Sequence, residues 1–166
     1  GKGQYRINLN NLQKFKNFKF KDYILEEIIL FKKELSVIVC RSSNNITCYP
    51  VVENIHRNSI LRETHYPAKI TKYSENKAIS IAKEIANKLN LNGILAVEMF
   101  LLDNEDILVN ELAPRPHNSG HWTLDYCENN QFENLIYSIF DNKVKKPIPK
   151  ENCKMVNVIG YDYNNR

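Results

Sequence analysis

The sequence predicts an α+β domain built on an antiparallel-rich sheet with packed helices, and three observations predict it. Two pairs of β-rich runs, 34–41 with 46–52 and 94–102 with 107–112, are each joined by a short polar turn. A helical stripe of Ala78, Ala82, Ile85, Ala86 and Leu89 lies between the two pairs. A second stripe, Phe132, Leu135, Ile136 and Ile139, follows them.

In chain order, residues 1–22 are basic, with Phe15, Phe18 and Phe20 set among lysines and no stripe of helix length, which predicts strands and turns of a small subdomain. Gly1-Lys2-Gly3-Gln4 is a turn-forming sequence compatible with a phosphate. Tyr23 to Phe31 is apolar apart from Glu26 and Glu27. Glu34 to Arg41 is rich in β-branched residues and predicts a strand. Ser42-Ser43-Asn44-Asn45 makes the turn into a returning strand, Ile46 to Val52, where Pro50 marks an edge or a strand end. Ser74 is the expected N-cap of the first helix and Asn92-Gly93 its stop. The second helix is expected over 130–140, and Lys143 to Lys150, with Pro147 and Pro149, reads as a linker into a strand over 155–160.

Composition narrows the function. The chain has 166 residues, 43% hydrophobic and 25% charged, and no apolar run of the length a membrane-crossing helix needs. Its first residues lack the apolar segment of a secretory signal, so a cytoplasmic location is expected. Cys40, Cys48, Cys127 and Cys153 form no Cys-x-x-Cys pair, and they read as reduced packing residues rather than zinc ligands or a disulfide framework. A net charge of +4, with 17 Lys against 6 Arg and no interleaved aromatic platforms, excludes a nucleic-acid-binding module. Residues 1–33 hold eight basic and three acidic residues, which suits a polyphosphate or a solvated surface.

Glu98 sits inside the apolar run Ala96 to Leu102, where an unpaired carboxylate costs several kcal/mol, on the order of 3 or more. A turn centred between Asn104 and Glu105 places Glu98 directly opposite Glu111. Like charges so placed repel and call for a cation between them, a description that fits a Mg²⁺ site. Taken alone, the pair fits a solvated site neutralised by lysines equally well. Independent support lies just downstream, in Asn110 to Trp122, where carboxylate, guanidinium, two imidazoles, amide and hydroxyl fall within one extended segment stiffened by Pro114 and Pro116. Arg115 suits a bidentate oxyanion, bicarbonate or phosphate, and His117 suits proton transfer near neutral pH.

These residues resemble one family. Asn110-Glu111-x-Ala113-Pro114-Arg115-x-His117-Asn118-Ser119-Gly120-His121-Trp122 is similar to the segment of the 5-(carboxyamino)imidazole ribonucleotide synthases, also called phosphoribosylaminoimidazole carboxylase ATPase subunits, within the ATP-grasp superfamily. Collinear stretches at 1–4, 34–39, 49–56, 60–62, 93–98, 131–134 and 155–160 carry the resemblance over nearly the whole chain. ATP-grasp proteins in general carry Asn-Pro-Arg where this chain has Ala113-Pro114-Arg115, so the resemblance implies a metal held by Glu98 and Glu111 with phosphates and water.

It further implies an ATP-grasp fold in three parts: the end of a lid subdomain over 1–28, a large domain over 29–143, and the linker and first strand of a small C-terminal domain over 144–166, together a central piece of a longer enzyme. ATP would contact Lys2, Gly3, Gln4, Glu26, Glu27, Ile28, Ile29, Glu34, His56, Asn110 and Glu111, with the hinge 26–29 holding adenine and Glu34 the ribose. Arg115, His117 and Asn118 would be catalytic, with Arg115 on bicarbonate. The implied reaction is ATP-dependent carboxylation of aminoimidazole ribonucleotide in purine biosynthesis, by a homodimer whose partner is the mutase of the next step. Another ATP-grasp ligase, or a non-catalytic nucleotide-binding fragment, are the alternatives.

Overall fold

The computed structural model describes residues 5–19, 21 and 23–160. The chain divides into two compact units, Gly1–Leu30 and Phe31–Arg166. In the first unit, a 3-10 turn at Leu12–Phe15 and a cluster of aromatic rings stand where strands were expected. Tyr5 meets Phe15 and Phe18 edge-on at 5.8 and 5.2 Å, so ring packing rather than a strand ladder organises the described part of this segment.

The second unit runs β1 (Lys33–Arg41), β2 (Ile46–Cys48), β3 (Val52–Arg57), β4 (Ile60–Tyr66), α1 (Lys72–Lys88), β5 (Gly93–Leu101), β6 (Ile107–Ala113), α2 (Thr123–Tyr126), β7 (Cys127–Glu128), α3 (Gln131–Ile139), β8 (Ile148–Pro149) and β9 (Cys153–Val156). The large sheet has the order β6-β5-β1-β3-β4-β9 with β2 added beside β1, and every pairing in it is antiparallel. β7 and β8 form a separate pair.

Several boundaries differ from expectation: the strand expected over 155–160 lies at Cys153–Val156, the expected linker holds β8, and three further differences have local reasons. The strand expected over 46–52 breaks at Tyr49-Pro50, because proline cannot donate to a ladder, and the chain re-enters the sheet as β3. A third hairpin, β3–β4, turns at Asn58-Ser59, both with positive φ (54° and 59°), as tight hairpin turns require. Helix α1 is capped by Thr71, whose side chain accepts from the backbone N–H of Ser74, so Ser74 sits three residues inside the helix.

Alternation along β1 divides the protein into two cores. Leu35, Val37 and Val39 face α1, where Ala78, Ala82 and Ala86 present small side chains to the sheet. Ile38 and Cys40 face the opposite way, into a cluster with Ile94, Ala96, Ala113, Trp122 and Val144. Helix α3 belongs to this second face, but of the expected stripe only Leu135 packs against the core. Phe132, Ile136 and Ile139 are exposed, whereas Gln131, Asn134 and Ser138 are fully buried. The buried amides substitute for absent strand partners: Asn134 Oδ1 accepts from the Lys145 N–H at 2.8 Å, and its Nδ2 donates to the Lys145 carbonyl and the Tyr49 hydroxyl.

Asn134→Leu is therefore expected to lower stability by about 3 kcal/mol, because it strands buried polar groups. Ile136→Ser should stay within about 0.5 kcal/mol of the parent. Urea unfolding of the two variants checks this, and the reverse ranking would restore the apolar stripe as the packed face.

Candidate active site

The carboxylate pair comes together as expected, by a different route. Near the turn, Leu101 opposes Ile107 and the Leu102 N–H donates to Asp106, so the apex lies at Asn104 and this register would set Glu98 against Asn110. A β-bulge between Glu98 and Met99 adds one residue to β6, leaves Asn110 unpaired and brings Glu111 directly opposite Glu98. The two carboxylates thus share one sheet face, with Met99 and Leu101 on the other among the α1 contacts.

The segment after β6 is held above that face by backbone clamps. Gln131 grips His117 at both ends, accepting from its N–H and donating to its carbonyl, each at 2.9 Å. A Cβ on Gly120 would lie 2.2 Å from Ile38 and 2.7 Å from the Gln131 amide oxygen, so glycine permits this close approach. Trp122 is buried and stacks on Tyr66 with ring centroids 4.8 Å apart, which fixes the far end.

His117 Nε2 consequently lies 3.2 Å from Glu98 Oε1. The His117 side chain holds the Glu98 carboxyl below its ordinary range, against the opposing effect of burial, with His56 and Arg115 adding positive potential. His56 Nδ1 contacts Glu34 Oε2 across β1 and β3, and this hydrogen bond raises the imidazole above its ordinary value. Arg115 spends one N–H on the Pro116 carbonyl and is otherwise exposed, and Asn118 is half-buried at the start of a 3-10 turn.

Glu34, His56, Glu98, Glu111, Arg115, His117 and Asn118 all belong to the second unit. Asn110 occupies the bulge. Glu26, Glu27 and Ile28 are exposed and Ile29 half-buried in the first unit, and Lys2, Gly3 and Gln4 lie outside the described residues. Ser36, Asn54, Thr64 and Gln131 support the site without a role in the sequence reading, which counted the Ser119 hydroxyl within the Asn110–Trp122 segment but not its link to Ser36. The available signal was a polar side chain inside a β-branched or apolar run, as at Ser36.

Among the described residues, no group of three or more His, Cys, Asp and Glu side chains could hold a metal by itself. Two hard oxygen donors on rigid strands still fit a magnesium ion, which characteristically takes one or two carboxylates and fills its octahedron from phosphates and water. Ala113, at the position of the missing third ligand, is buried among apolar side chains.

The His56–Glu34 contact predicts a pH-dependent contribution to stability. A histidine raised on folding stabilises fully below its unfolded value of about 6.5, and that stability disappears as pH climbs through the folded value. His56→Gln should therefore be most costly in acid and converge on the parent in alkali, as read from urea midpoints. A pH-independent cost would contradict the pairing.

Residues 1–132 match the ATP-grasp domain family. The chain is 50% identical over 138 residues to N5-carboxyaminoimidazole ribonucleotide synthase of Bacillus subtilis, covering 82% of this chain and 36% of that protein. The crystal structure of N5-carboxyaminoimidazole ribonucleotide synthetase from Thermus thermophilus superposes with a TM-score of 0.85 at 35% identity, over 93% of this chain and 43% of that one. The Aspergillus clavatus N5-carboxyaminoimidazole synthase, solved with ADP and 5-aminoimidazole ribonucleotide, superposes at 0.74 with 32% identity, over 78% of this chain and 36% of that one. The chain thus spans less than half the length of these relatives. With two opposed carboxylates on an antiparallel sheet and a matching family over most of its length, the chain belongs to the ATP-grasp family, where N5-carboxyaminoimidazole ribonucleotide synthases are among its relatives.

Proposed function

We propose that this chain carries the metal and nucleotide site of an ATP- and bicarbonate-dependent carboxylase. The reaction converts 5-aminoimidazole ribonucleotide to N5-carboxyaminoimidazole ribonucleotide in purine biosynthesis, with release of ADP and phosphate. The observation that carries the reading is the face-to-face Glu98–Glu111 pair with the Ala113–Trp122 segment clamped over the same face. Relatives bearing this activity in their names, one of them seen with ADP and the aminoimidazole ribonucleotide, support it.

In this reading a bicarbonate oxygen attacks the γ-phosphorus of ATP while the bond to the ADP oxygen breaks, giving carboxyphosphate. The carboxyphosphate C–O bond then breaks to release inorganic phosphate, and the carboxyl carbon bonds to the exocyclic amine, which loses a proton. Glu98 and Glu111 would hold a magnesium ion, which when bound would supply charge neutralisation at the phosphate oxygens. Arg115, whose guanidinium is free on the solvent side, binds the bicarbonate and carboxyphosphate oxyanions, with Asn118 beside it. His117 orients Glu98. Glu34 accepts from the ribose, His56 holds Glu34 in place, and Asn110 contacts the nucleotide beside Glu111. Backbone groups of Glu26 to Ile29 pair with adenine, and Lys2, Gly3 and Gln4 cover the phosphates. The complete enzyme is a homodimer that hands its product to a mutase.

Two variants of the full-length protein test the reading. Glu111→Gln should cut aminoimidazole-dependent ADP release about 100-fold, since a metal's charge stabilisation amounts to several kcal/mol. Near-normal turnover at saturating Mg²⁺ would remove the metal role. Arg115→Ala should raise the bicarbonate requirement by roughly ten-fold or more, the range of a charged hydrogen bond. An unchanged bicarbonate dependence would separate Arg115 from that substrate.

A further inference from the structure

The polar row continues past Glu98 into the interior. Ser36 is the direct cross-strand neighbour of Glu98 on β1, and Asn54 faces Thr64 across β3 and β4. Ser36, Thr64 and Ser119 are fully buried and Asn54 is 5% exposed. Polar side chains at such depth cost free energy unless every donor and acceptor is matched, and here they are matched to one another. Thr64 Oγ1 donates to Asn54 Oδ1 at 2.9 Å, and Asn54 Nδ2 donates to Ser36 Oγ at 3.0 Å. Ser36 Oγ donates to Ser119 Oγ at 2.8 Å, and Ser119 Oγ lies 2.8 Å from His117 Nδ1.

The order of donors follows from the two ends of the chain. Asn54 Nδ2 can only donate to Ser36, and the Ser119 backbone N–H can only donate to His117 Nδ1, so the two hydroxyls between them donate in the same sense. Ser119 accepts from Ser36 and turns its hydrogen to His117 Nδ1, which also accepts from the Ser119 backbone N–H at 3.3 Å. A backbone N–H has no other role to play, so Nδ1 carries no proton and the neutral ring carries its proton on Nε2, the atom that faces Glu98. Four hydrogen bonds thus point the same way, ending on His117, whose Nε2 lies 3.2 Å from Glu98 Oε1, and aligned dipoles of this kind reinforce one another.

We propose that Thr64, Asn54, Ser36 and Ser119 are positioning residues, a one-way hydrogen-bond chain that fixes His117 as the Nε2–H tautomer and so holds the Glu98 carboxylate in place. The role rests on the carboxylate pair being the metal site proposed above, while the tautomer itself does not. His117 in this arrangement cannot take a proton at Nε2 while neutral. It holds the carboxylate, and accepting a proton from substrate falls to other groups.

The test is a two-bond nitrogen–proton correlation spectrum of the histidine rings in full-length protein, in mildly alkaline buffer without metal, nucleotide or bicarbonate. The parent should show an unprotonated Nδ1 and a protonated Nε2 for His117. Ser36→Ala and Ser119→Ala should both lower the Nε2–H fraction and weaken Mg²⁺ binding in the presence of ADP about ten-fold, the size of an outer-shell effect on a metal ligand. Thr64→Ser, which keeps the hydroxyl, should match the parent on both readouts. If Ser36→Ala does not fold, Ser119→Ala carries the test: the longer 3.3 Å backbone donor remains, so a fall in the Nε2–H fraction reports the loss of the 2.8 Å hydroxyl contact alone. A parent ring protonated on Nδ1, a tautomer unmoved in the folded alanine variants, or unaltered Mg²⁺ binding would each overturn the proposal. Because the spectrum needs no turnover, it succeeds or fails separately from the carboxylation reading.

Discussion

Two negative charges set against each other on adjacent strands are the constraint around which the second unit is arranged. Direct cross-strand opposition of Glu98 and Glu111 is unfavourable in isolation, and the surrounding residues offset it. His117 reaches Glu98 from above, while His56 and Arg115 contribute positive potential from the neighbouring strand and loop. The apolar half of the same face is closed by α3 and Trp122, which leaves the carboxylate half as the open end of a rigid layer. Rigid strands suit such a site because small errors in ligand position are costly to a demanding ion like magnesium.

The loop over the sheet gains its precision from buried amides rather than from a ladder. Gln131 and Asn134 each hold a backbone peptide by donor and acceptor together, at His117 and Lys145. This explains why α3 turns its polar side inward, against the usual amphipathic rule. With Gln131 and Asn134 anchoring two loops on the inner side, Leu135 packs against the core from the expected stripe, and Phe132, Ile136 and Ile139 stand outside.

Much of this was legible in the sequence. β-branched density located β1, the polar tetrad between two apolar runs located the β5–β6 hairpin, and an unpaired carboxylate in a hydrophobic run flagged Glu98 before any fold was known. The Glu98–Glu111 pairing holds even though the expected turn centre is half a residue off and the register near the turn therefore differs by one, because the bulge at Asn110 restores the displaced register. The α3 face was misread because periodicity reports where apolar side chains repeat and not what lies against them. The β3–β4 hairpin went unassigned because Asn58-Ser59 lacks the glycine that usually marks such a turn. The Ser36–Ser119 link joins residues 83 positions apart, and no local pattern encodes that distance. Residue roles in nucleotide and bicarbonate binding came from the family resemblance and not from spacing.

The extra residue in β6 makes the site a matter of counting. Side chains alternate sides along a strand, so an odd insertion or deletion between Ile107 and Glu111 exchanges inside for outside for every residue beyond it, whereas an even one leaves the alternation as it was. Ile107 and Ala113 both have to be buried, on opposite faces of the layer, and in a regular strand six residues of separation would put them on the same one. Drift in length at this edge is therefore filtered by parity, and the chemical nature of Asn110 weighs less than its being there.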